Sequence, residues 1–73
     1  MDLKSAVAVA KQHVSDLFAA SAPQDVRLEE FVYDDHLGVW TLTIGFALPD
    51  AACGYKIVRV SEANQSVLSI RDR

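Results

Sequence analysis

Only the N-terminal stretch of this chain places its apolar residues at helical spacing: Leu3, Ala6, Val7, Ala10, Val14, Leu17 and Phe18 fall three and four apart and share one helical face. Everything after it reads as strand and turn. The spacing predicts a helix that begins at about Leu3, where Asp2 is placed to cap the first-turn amides. It stops near Ala20, because Pro23 disfavours helical geometry at the residue before it.

From Val26 to Tyr33 the β-branched and aromatic content rises, and Asp34-Asp35-His36-Leu37-Gly38 supplies a turn. Val39 to Phe46 then alternates: Trp40, Leu42, Ile44 and Phe46 point one way, toward the helix, and Val39, Thr41, Thr43 and Gly45 the other. Leu48 to Gly54 reads as a loop, Tyr55 to Val60 as a third strand, Ser61 to Gln65 as a polar turn, and Ser66 to Arg71 as the last strand. No crossover helix separates these strands, so neighbours are expected to pair antiparallel. The predicted fold is α+β, one N-terminal helix packed on a four-stranded antiparallel β-meander, with residues 1–73 as a single domain.

A chain of 73 residues has room for one such core and no second domain. A core of this size rarely supplies more than about 3–5 kcal/mol, so small domains often rely on a staple or a partner. Cys53 is the sole cysteine, which excludes an internal disulfide, and with His13 and His36 it makes no tetrahedral zinc set. Association is the stabiliser left. The formal charge is −3 and the basic residues Lys4, Lys11, Arg27, Lys56, Arg59, Arg71 and Arg73 are scattered, which argues against nucleic acid as a partner. The N-terminus lacks a basic segment followed by a continuous apolar run, so the expected location is cytoplasmic, with no membrane partner.

The strands carry more apolar residues than one helix can cover. Val26, Leu28 and Val32 alternate with Phe31 and Tyr33, Tyr55 and Ile57 with Val58 and Val60, and Leu68 and Ile70 with Val67. One reading is burial by a partner, a homodimer or another protein, on the helix-free sheet face or a free edge; the candidate interface is then Val39, Thr41, Thr43, Tyr55, Ile57 and Val67. The other reading is a bulge near Glu29-Glu30, which would bring Leu28, Phe31 and Tyr33 to the same core.

Chemistry-bearing residues are few. Cys53 lies on a loop with nothing nearby in sequence to lower its pKa, and His13 borders the apolar helical stripe. Asp34, Asp35 and His36 could be read as a metal cluster, but aspartates are common in turns for conformational reasons. Glu29 and Glu30 face opposite sides in a regular strand and so make no carboxylate pair. Phosphate loop, nucleophile elbow and zinc helix are all missing, so no enzyme activity, cofactor or metal is expected.

Ala6-Val7-Ala8-Val9-Ala10, Gly38-Val39-Trp40-Thr41-Leu42 and Tyr55-Lys56-Ile57-Val58-Arg59-Val60 together resemble the pattern of PepSY-like modules, small helix-plus-meander domains. The chain departs from that pattern at Ser61, where members often carry aspartate, and at Asn64-Gln65, where they often carry threonine-glycine. The resemblance implies a regulatory or peptidase-inhibiting module and assigns no site residues. The functional expectation is a non-catalytic protein-interaction module, self-associating or binding a partner, possible forms being an immunity protein, an antitoxin or an inhibitor. The alternative is a small enzyme or ligand-binding domain with a pocket between helix and sheet, using His13 or Cys53.

Overall fold

The structure is a computed structural model that describes residues 2–49 and 54–73. Helix α1 spans Leu3–Leu17, a 3-10 turn Ala19–Ser21, and four strands follow: β1 Gln24–Asp34, β2 Val39–Ala47, β3 Gly54–Ser61 and β4 Ser66–Asp72. They form one antiparallel sheet in the order β1-β2-β3-β4, so the α+β helix-plus-meander is the observed architecture.

Asp2 caps α1 by accepting the Ser5 backbone N–H at 2.8 Å. That bond from the Ser5 backbone holds the Asp2 carboxyl below its ordinary value of 3.8. The helix ends at Leu17, three residues earlier than the proline alone suggests. After Phe18, bonds from Ser21 N to Phe18 O and from Ala22 N to Ala19 O tighten the chain into the 3-10 turn, and Ala22 goes left-handed at φ 50°.

Ala6, Ala10 and Val14 carry the buried face of α1, and they meet Leu42, Ile44, Phe46, Val58 and Val60 of the central strands. The two alanines let helix and sheet approach closely. Phe46 lies over Gly54 so tightly that a Cβ there would stand 2.9 Å from its ring, and Phe18 packs on Phe46 with ring centroids 4.9 Å apart. Lys56 also faces the helix, its ammonium 5.6 Å from the Phe18 ring centre and paired with Asp72.

Bulges set the faces of both edge strands. In β1, Leu28 opposes Ile44 and Glu30 opposes Thr43, so Glu29 is the extra residue; Phe31 then opposes Leu42 and Tyr33 opposes Trp40. Leu28, Phe31 and Tyr33 therefore share the helix side, as the bulge reading expects, but only Leu28 packs against the core while Phe31 and Tyr33 stay exposed, and Val32 turns the other way. A second bulge in β4 pairs Arg59 with Ser69 and Val60 with Val67, leaving Leu68 as the extra residue. This corrects the placement of Val67: strict alternation sends it to the helix-free face, whereas the bulge sets it beside Ile70 on the helix side, packed against the core.

Candidate interaction surface

With both bulges in place, the helix-free face is mostly polar. It presents Arg27, Glu29 and Glu30 from β1, Thr41 and Thr43 from β2, Arg59 and Ser61 from β3, and Ser69 and Arg71 from β4. Long side chains tie it together: Arg27 pairs with Asp25 and Glu29, and Arg73 stands over the Tyr55 ring at 5.3 Å and 3.9 Å from Glu30 on the opposite edge strand. Five of the six sequence candidates lie here. Val39 and Thr43 are already buried, at 5% and 3% exposure, while Thr41, Tyr55 and Ile57 are half-buried, so apart from Val32 at its β1 edge this face offers little apolar surface to a partner.

Exposed apolar side chains stand singly at Leu17, Leu37 and Leu68, and in a consecutive run at the far half of β1. An α1 of 15 residues is about 22 Å long, against a molecule 40 Å in its longest dimension. Consecutive residues Phe31, Val32 and Tyr33 remain 49%, 64% and 38% exposed, Phe31 and Tyr33 on the helix side and Val32 behind. The rings of Phe31 and Tyr33 flank Trp40, with centroids 6.3 Å and 4.7 Å from it. The Trp40 indole N–H is buried in this cluster with no acceptor among the described residues.

The free side of β1 is open over the same residues. Inside the hairpin the Asp34 carbonyl accepts the Gly38 N–H at 2.8 Å, so it points toward β2. Alternation along the strand then turns the N–H and C=O of Tyr33 and Phe31 outward, consistent with the close Tyr33–Trp40 ring contact of a non-hydrogen-bonded pair. The earlier half of β1 is guarded by two register shifts and by Asp25, Arg27 and Glu29, the devices that ordinarily block edge pairing. From Phe31 to Tyr33 no such guard stands.

Carboxylates surround this segment. Tyr33 donates its hydroxyl to Glu62. That bond, with some burial and the negative charges of Glu62, Asp35 and Asp34, raises the phenol above its ordinary 10.0. From Leu28 to Tyr55 the chain carries no lysine or arginine, while Glu29, Glu30, Asp34 and Asp35 all lie on the β1–β2 hairpin.

The other candidates do not converge. Asp34 accepts the backbone N–H groups of His36 and Leu37, at 3.0 and 3.1 Å, so it organises the turn. Glu29 and Glu30 reach the same face because of the bulge, but Glu29 engages Arg27, and Glu30 takes the Thr43 hydroxyl at 3.3 Å. Among the described residues, no three of His, Cys, Asp and Glu are grouped to hold a metal ion. His13 lines an open depression of about 420 Å³ between α1 and β4 with Ala8, Val9, Gln12, Asp16 and Val67. Cys53 lies outside the described residues. No described helix is long and apolar enough to cross a membrane. Compared with family models, curated proteins and solved structures, the chain matches none.

Proposed function

We propose that this chain is a non-catalytic protein-binding module whose contact surface is the far half of β1, with the aromatic cluster above it and Val32 below. The observation that carries the reading is the run Phe31-Val32-Tyr33, exposed on both faces of an edge strand whose outward backbone groups are unpaired by the sheet. A polypeptide strand of a partner is the ligand form that engages all three surfaces together. Its backbone continues the ladder, and its side chains cover the rings and Val32. A masking role of the immunity, antitoxin or inhibitor kind suits such a surface, and the inhibitor form is the one the PepSY-like pattern implies. The depression beside His13 is the observation behind a small-molecule reading, but it is open and its polar groups are spent in part on each other, Gln12 donating to Asp16 at 2.8 Å.

Photo-crosslinking in the native cell tests the proposal. A benzophenone-bearing phenylalanine at position 31 is expected to give one discrete heavier adduct with another protein. The same group at Leu17, an exposed apolar residue on α1, is expected to give none. Identical adduct patterns from the two positions, or none from position 31, would count against it.

A further inference from the structure

We infer that the partner strand is basic at its flanks: an extended segment with a short apolar centre bounded by lysine or arginine, docked antiparallel on Glu30 to Asp34 of β1. The inference rests on the reading of β1 as a docking edge and adds the chemistry of the occupant.

Charge decides between the candidate occupants. A second copy of this chain, paired antiparallel about Val32, would place Phe31 opposite Tyr33 and, at both ends of the contact, Glu30 opposite Asp34. Like charges set directly across a ladder are destabilising, and Asp35 beyond each end adds to the repulsion. Shifting the register by two toward Glu29 runs the copy into the β1 bulge, where the ladder is broken. A foreign strand meets neither obstacle when its flanks are cationic. Residues opposite Phe31, Val32 and Tyr33 then bury apolar surface, and those opposite Glu30, Asp34 and Asp35 meet carboxylates. From Leu28 to Tyr55 the chain carries no lysine or arginine; the basic residues nearest the edge are Arg73, 3.9 Å from Glu30 at the near end, and Arg59, two strands away across Thr41. Such charges orient the encounter and set its register, while the backbone ladder and aromatic contact hold it.

The test uses two end-blocked heptapeptides, Lys-Lys-Ile-Val-Ile-Lys-Lys and Glu-Glu-Ile-Val-Ile-Glu-Glu, titrated into the whole chain and followed by amide NMR. The basic peptide is expected to shift residues 30–35 and the Trp40 indole and to slow exchange of the Phe31 and Tyr33 amides. Its affinity should fall several-fold between about 50 and about 500 mM salt, as screening removes the attraction. The acidic peptide should bind at least about tenfold more weakly, a difference of about 1.4 kcal/mol. In the double variant Glu30→Lys, Asp35→Lys, both exposed positions, the preference is expected to reverse with the fold intact. Equal binding of the two peptides at residues 30–35 overturns the basic-partner inference and leaves the docking edge standing. Binding of the basic peptide elsewhere, or none at millimolar concentration, overturns the inference as well. The docking reading then stands or falls on the position-31 crosslink, which uses no peptide.

Discussion

Tyr33 shows how one side chain serves two neighbours. Its ring leans on Trp40 and the residue stays 38% exposed, while its hydroxyl ties β1 to Glu62 after β3. Negative neighbours disfavour the phenolate, so the folded ionisation is raised. For a raised group the associated stability is complete below the unfolded value near 10 and is lost as pH climbs through the folded one. In a Tyr55→Phe background, where Tyr33 is the remaining phenol, absorbance titration is expected to place its ionisation above 10.0, and Glu62→Gln should bring it down. An ionisation that ignores Glu62→Gln would remove Glu62 as its cause. Asp2 works in the opposite sense. Its lowered carboxyl contributes to helix stability above the ordinary 3.8, and that contribution fades as pH falls through the folded value.

Among the elements, β1 is the one whose behaviour departs from a simple reading, and Glu29 is the reason. Deleting Glu29 removes the extra residue while leaving Leu28, Phe31 and Tyr33 on the helix side, so this variant is expected to fold with a cooperative melt. What it loses is an exposed contact to Arg27, worth no more than about 1 kcal/mol. Deleting Val32 instead throws Phe31 or Tyr33 to the wrong face against Trp40 and should abolish the cooperative transition. Circular dichroism melts of the two deletions compare them directly, and equal loss of structure in both would show that the bulge is not the device described. The helix and the meander were legible in the sequence because their periods, 3.6 and 2, run for many residues. A bulge is one residue long and has no period. Consecutive Glu29-Glu30 hinted at the first, since a carboxylate aimed at the core is costly, but Val67-Leu68 concealed the second because either residue suits a buried side. The misplacement of Val67 follows from that. A free edge was among the expected contact surfaces, but which edge and which part of it were not legible for a related reason: pattern shows an apolar surplus but not how far along a strand the helix stops covering it.

Across the whole molecule, a short helix on a longer sheet divides the structure into a closed half and an open half. In the closed half, Ala6, Ala10, Val14, Leu42, Ile44, Val58 and Val60 are fully excluded from water. In the open half, the acidic β1–β2 hairpin carries an aromatic cluster and an unguarded edge. Amide hydrogen exchange of the dilute, isolated chain separates the two most directly. Amides of Leu42 and Val58, on strands paired along both sides, are expected to exchange slowly, and those of Phe31 and Tyr33 to exchange orders of magnitude faster. Protection of Phe31 and Tyr33 equal to that of the central strands would mean the edge is already occupied or turned inward, and would contradict a β1 left open for a partner.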